Sequence, residues 1–160
     1  MADDLLLLGG SVIDGTGAAA SPDTAVLLVD GRIAALGADA VAHAAATTTT
    51  LDVAGQTVMP GLIDSHLHCT FDDVQSNDEL FFHRDPTMVT LTTSQNLQKI
   101  LRAGVTSFVD PDTAHGVGPS IREAIEAGVI SGPRMKTGVQ ALMTAVGGTA
   151  GRLIPDEGTV

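Results

Sequence analysis

Two histidines one residue apart, His66 and His68, are the side chains of this sequence best suited to chemistry. They close the run Pro60-Gly61-Leu62-Ile63-Asp64-Ser65-His66-Leu67-His68, in which Leu62–His68 reads as one apolar strand. Along a strand, residues i and i+2 face the same way. Both imidazoles can therefore reach a single metal ion at Zn–N distances of about 2.0–2.1 Å, leaving its other positions to be filled from elsewhere. The pair falls at the carboxyl end of the strand, where parallel α/β sheets carry their sites.

Other polar residues are placed to assist. Asp64 lies two positions before His66, on the same face by alternation, where it either orients a ligand imidazole or satisfies backbone groups. Asp110 and His115 flank the loop after the next strand and are candidates for substrate contact, although most polar loop residues only face water. Cys69 points away from the histidine face by alternation, which favours packing over ligation. His43, in an Ala-rich stretch, and His83, between Phe82 and Arg84, read as surface histidines. The acidic residues Asp72, Asp73, Asp78, Glu79 and Asp85 either steer a cationic substrate or form a solvated loop. Gly147-Gly148-Thr149-Ala150-Gly151 lacks the Gly-Lys-Ser/Thr ending of a phosphate loop.

The elements that must position these residues come in two regimes. Residues 1–57 read as short strands, Leu5–Leu8, Ser11–Ile13, Ala25–Val29 and Arg32–Leu36, the last two joined by the hairpin signal Asp30-Gly31. Ala38–Ala46 has helix propensity, and the β-branched Thr47–Thr50 stops it. This region is expected to be part of a small β-sandwich or barrel. From residue 58 to 160 the rhythm changes to strand Leu62–His68, helix Thr87–Ala103 with Gly104 as its stop, and strand Val105–Val109. A helix capped by Ser120 and ending at Gly128, then a strand over Pro133–Thr137, follow. Alternating strands and helices predict βα units on a parallel sheet. Only about two and a half units are legible, against the eight of a closed barrel.

Composition bounds the function. The chain has 160 residues and 16.3 kDa, is 44% hydrophobic with mean hydropathy +0.26, and therefore does not read as a disordered acidic tail. Eight basic against 19 acidic residues give a net charge of −11, which argues against nucleic acid and anionic membranes as partners. The lone Cys69 excludes an intramolecular disulfide and suits a reducing compartment. The start carries Asp3 and Asp4 where a secretory signal would be basic. The apolar run Leu5–Leu8 is far shorter than the roughly 20 residues of a membrane span. A cytoplasmic protein is expected. With four Phe and no Trp or Tyr, its core must be built mainly from aliphatic side chains.

The whole run Val58-Met59-Pro60-Gly61-Leu62-Ile63-Asp64-Ser65-His66-Leu67-His68 resembles the PGLIDxHxH signature of the amidohydrolase superfamily. Gly31-Arg32-Ile33 and Leu51-Asp52-Val53-Ala54-Gly55-Gln56 resemble the lead-in to that signature. Ala103-Gly104-Val105-Thr106-Ser107, Ile121–Gly128 and Ser131-Gly132-Pro133-Arg134 are similar to its imidazolonepropionase-like and prolidase-like branch. The resemblance implies the N-terminal part of a (β/α)8 barrel over residues 58–160, preceded over 1–57 by strands of a composite β-sandwich. It implies hydrolysis of amide, cyclic amide or dipeptide C–N bonds by a metal-activated water, with one or two divalent ions, zinc by preference. His66 and His68 would be metal ligands. The family's later lysine, two histidines and general-base aspartate have no counterpart before Val160, Lys136 being too early, so no catalytic residue is assigned and the chain reads as truncated. Thr149 stands where close relatives carry a histidine after Gly-Gly. The implied partners are a small-molecule amide or dipeptide and, for a full-length member, a second copy in a homo-oligomer. Two alternatives stand beside this reading: a deaminase or lactonase of the same superfamily, and a non-catalytic chain that holds half a metal site or requires a partner polypeptide.

Overall fold

Parallel strands need a crossover between them, and the residues after Pro60 supply two. The computed structural model describes residues 4–71, 75, 76, 79 and 83–139, with the backbone of two short strands, Leu142–Met143 and Arg152–Leu153. The chain divides into two compact units, Met1–Pro60 and Gly61–Val160.

In the first unit, β1 (Leu5–Leu8) pairs antiparallel with β3 (Val26–Val29) and parallel with β5 (Thr49–Asp52). The strand β4 (Arg32–Leu36) extends the sheet beyond β3, giving the order β4-β3-β1-β5. The turn between β3 and β4 puts Asp30 at φ 50° and Gly31 at φ 71°, the paired left-handed residues of a tight hairpin. A second, two-stranded sheet pairs β2 (Ser11–Val12) with β6 (Thr57–Val58) in parallel. Leu6, Ala25, Leu27 and Ala40 form the core, with Ala40 supplied by the helix α1 (Ala38–His43). That helix ends three residues earlier than Ala propensity predicts. Ala44 adopts an extended conformation, φ −65° and ψ 129°, and packs its methyl against the core cluster. Tertiary packing here overrides local propensity.

The second unit contains β7 (Leu62–Asp64), α2 (Pro86–Arg102), β8 (Val105–Asp110), α3 (Gly118–Glu126) and β9 (Arg134–Thr137). All three strands are parallel and lie in the order β7-β8-β9. Asp85 caps α2, accepting the Thr87 N–H at 2.8 Å, and Pro86 opens it. Gly104, at φ 86°, ends it. One face of the sheet carries Phe108 beside Met135 in register, and both pack with Leu97 of α2, Ile121 of α3 and Cys69. On the alternate positions Ile63 is 75% exposed and Val109 38%. The strands β10 (Leu142–Met143) and β11 (Arg152–Leu153) pair in parallel. The Gly147–Gly151 stretch and Asp72, Asp73 and Asp78 lie outside the described residues.

Two further boundaries, both in the second unit, depart from the sequence reading by more than a residue. The strand expected over Leu62–His68 stops at Asp64, because the Asp64 carboxylate accepts the His66 N–H at 3.0 Å and turns the backbone out of the ladder. Ser120 does not cap α3. The helix starts at Gly118, with Val117 at the N-cap and Pro119 in the first turn. Thr113 Oγ1 accepts the Gly118 N–H at 2.9 Å, so that end is satisfied from outside the helix.

Candidate metal centre

His66 and His68 lie in the turn that follows β7, not on the strand itself. Their rings nevertheless meet, with centroids 5.1 Å apart and planes at 89°. His66 is exposed, whereas the His68 side chain is 24% exposed.

Three groups fix the His68 ring. Its Nδ1 lies 2.8 Å from the Asp112 carbonyl oxygen and 3.2 Å from Asp110 Oδ1. Phe71 stacks on it, centroid to centroid 4.3 Å at 16°. A carbonyl oxygen can only accept, so Nδ1 carries the hydrogen. In the neutral ring the lone pair then lies on Nε2, the atom available to a metal.

The loop carrying these rings is held by buried polar groups. Asn96, on the inward side of α2, donates from Nδ2 to the carbonyls of Cys69 and Phe71, each at 3.1 Å. Thr70 Oγ1 accepts the Ala114 N–H at 3.0 Å, tying this loop to the one after β8. Cys69 is buried in the core cluster and its thiol is pushed up, by burial first and then by the charge of Asp110 and a hydrogen bond to it. A protonated, buried thiol is a packing group.

Each remaining candidate has a definite place. Asp64 makes the turn to His66 described above, the backbone role and not contact with an imidazole. Asp110, read from sequence as a residue of the loop mouth, is instead the last residue of β8 and is wholly buried. The carboxyl end of a parallel strand feeds a loop, but here the turns after β7 and β8 close over it. His115 adopts a left-handed conformation, φ 57° and ψ 14°, and its Nε2 is buried with no hydrogen-bond partner among the described residues. Its charge makes a minor contribution to holding the Asp85 carboxyl low, after the hydrogen bonds from Thr87. His83 is exposed. Glu79 pairs with Arg84 at 3.5 Å.

Sequence reasoning missed Phe71, Asn96 and the carbonyl of Asp112. Asn96 left a signal, since it interrupts with an amide the inward stripe of Val89, Thr93 and Leu97. Phe71 left one as well, being one of four aromatic residues and only three positions from His68. A backbone carbonyl leaves none.

The donor set suits a divalent cation in part. Two imidazoles, one with its Nε2 lone pair fixed, are the nitrogen ligands that zinc accepts. Among the described residues no group of three or more His, Cys, Asp or Glu is placed to hold a metal ion. Also among them, no helix is long and apolar enough to cross a membrane.

Comparison with known proteins places the chain in a family. The amidohydrolase family model matches residues 57–150, and the chain belongs to that family. It is 36% identical over 124 residues to a 5-methylthioadenosine/S-adenosylhomocysteine deaminase of Syntrophobacter fumaroxidans, covering 67% of this chain and 28% of that enzyme. It is 48% identical over 56 residues to an imidazolonepropionase of Mycolicibacterium smegmatis, covering 35% of this chain and 14% of the relative. A solved prolidase in complex with N-methylphosphonate-L-proline superposes on 87% of the chain with a TM-score of 0.72 at 27% identity, the match taking in 32% of that prolidase. The chain thus spans less than a third of the length of these relatives. The β7-α2-β8-α3-β9 succession is the N-terminal part of a (β/α)8 barrel, here with an open sheet.

Proposed function

We propose that the protein acts as a metal-dependent hydrolase of C–N bonds in small amide-type substrates, with His66 and His68 as two of the metal ligands. The observation that carries this reading is the His68 ring, whose Nδ1 is taken up by the Asp112 carbonyl and Asp110, leaving Nε2 for a cation beside the His66 ring. The family match supports the reaction class, and the imidazole donors favour zinc among the common divalent ions. When bound, such an ion polarises a carbonyl and acidifies water. The chain's own residues hold and orient: His66 and His68 present nitrogen donors, Phe71 and Asp110 fix one ring, and Asn96 anchors the loop. The remaining ligands and a general base come from outside the described residues, either from the rest of a polypeptide or from a partner chain. Cytoplasmic residence and a homo-oligomeric state belong to this reading. The deaminase relative favours a second reading, hydrolytic removal of an amino group from a ring carbon, which ammonia release separates from amide cleavage.

The test is metal binding. Zinc content after dialysis, measured by elemental analysis with the polypeptide that supplies the remaining ligands present, is expected to be substantial in the wild type and lost in His66→Ala and His68→Ala, with far-UV circular dichroism unchanged. A double variant retaining the wild-type metal content would remove both histidines from the site.

A further inference from the structure

The most unusual charge in the described residues is the Asp110 carboxylate. It is wholly buried, and its hydrogen-bonded neighbours include no lysine or arginine. A carboxylate in that position requires donors. Its Oδ2 accepts the Cys69 N–H at 2.9 Å, and its Oδ1 faces His68 Nδ1 and the Asp112 N–H, each at 3.2 Å. One side chain at the end of β8 thus binds a backbone group of the turn after β7, a backbone group of its own turn, and the ring of a candidate ligand.

We infer that Asp110 is a positioning residue, which sets the Nδ1–H tautomer of His68 and holds its Nε2 lone pair toward the site. The Asp112 carbonyl reinforces the choice, because its oxygen accepts at 2.8 Å from the same nitrogen. The Phe71 ring fixes the plane in which the lone pair points. The alternative tautomer, with hydrogen on Nε2, would set an unprotonated Nδ1 against two oxygens that can only accept, a repulsive arrangement beside a buried carboxylate. The consequence for metal affinity rests on the reading above, whereas the tautomer itself does not.

The experiment is a long-range 1H–15N correlation of the imidazole rings in metal-free protein, at a pH above the ordinary histidine range. Wild-type His68 is expected to show a protonated Nδ1 and an unprotonated Nε2. Asp110→Asn, which turns an amide N–H2 against one of the bound donors, is expected to admit a fraction of the Nε2–H tautomer, the Asp112 carbonyl still favouring hydrogen on Nδ1. It should also weaken Zn2+ binding by roughly 10- to 100-fold in competition with a chromophoric chelator. Asn96→Ala loosens the same loop without touching the ring and is expected to keep the wild-type tautomer, which separates positioning from mere support. A wild-type ring with hydrogen on Nε2 would overturn the inference, and that measurement needs no variant. Unaltered tautomer and affinity in Asp110→Asn would overturn it equally. The expected tautomer in a wild type that binds no Zn2+ would support the positioning role and overturn the metal reading alone.

Discussion

The carboxyl ends of β7 and β8 begin with the same local device and finish differently. Asp64 and Asp110 each end a parallel strand, and each accepts the N–H two residues on, from His66 at 3.0 Å and from Asp112 at 3.2 Å. Asp14, Asp52 and Asp85 make the same contact with Thr16, Ala54 and Thr87. In this aspartate-rich chain the motif is a common way to end an element. Asp110 alone among these is wholly buried, and it alone reaches another segment, binding Cys69 and His68 across the sheet. The same residue type in the same turn is thus local punctuation at one strand end and a long-range tie at the next. The difference lies in burial, which strips water from the carboxylate and makes each of its protein donors necessary.

The most direct way to break the comparison is to remove both carboxylates. Asp110→Ala removes the acceptor of the buried Cys69 N–H, an acceptor of the partly buried Asp112 N–H and one of the two acceptors at His68 Nδ1, which keeps the Asp112 carbonyl, and at about 1–3 kcal/mol for a buried unsatisfied group the loss should reach about 3 kcal/mol. Asp64→Ala removes one contact in a turn open to water and should cost roughly 0.5 kcal/mol. Urea unfolding with an unchanged m value measures both. Equal losses at the two positions would abolish the distinction. An intermediate effect is expected at Asn96, whose replacement by Ala leaves the Cys69 and Phe71 carbonyls without their side-chain donor at a cost of about 1–2 kcal/mol. A loss as small as that at Asp64 would show that water replaces the amide.

Much of the architecture was legible because local chemistry dictates it. Asp30-Gly31 reads as a hairpin turn and Gly104 as the stop of the helix expected over Thr87–Ala103, since each depends on a few adjacent dihedrals. The HxH pair was legible by type and spacing, and its rings do meet, although by way of a turn and not by strand alternation. What was not legible depends on partners distant in sequence. Asp110 meets Cys69 across 41 positions, and Asn96 reaches the same residue across 27. The start of α3 was misread for a related reason, because Thr113 satisfies Gly118 and makes a capping serine unnecessary. Residue type foretells that an aspartate will accept hydrogen bonds, while only the fold decides from whom.

The smallest effect belongs to the exposed members of the aspartate set and sharpens the comparison through its dependence on pH. The Asp85 carboxyl is held below the usual range, first by the Thr87 hydroxyl and then by the Thr87 N–H. A carboxyl whose folded pKa is depressed stabilises the fold above its unfolded value, about 3.9, and loses that contribution as pH falls through the folded value. The melting temperature of Asp85→Ala should therefore lie below that of the wild type by a constant margin at neutral pH, and the margin should shrink once the pH falls below about 4. Other carboxylates titrate alike in both proteins and cancel from the difference. A margin that persists undiminished into acid would mean that Asp85 acts through its shape or through the uncharged hydrogen bond. The cap of α2 would then owe nothing to ionisation, leaving its charge without the structural use that burial gives to Asp110.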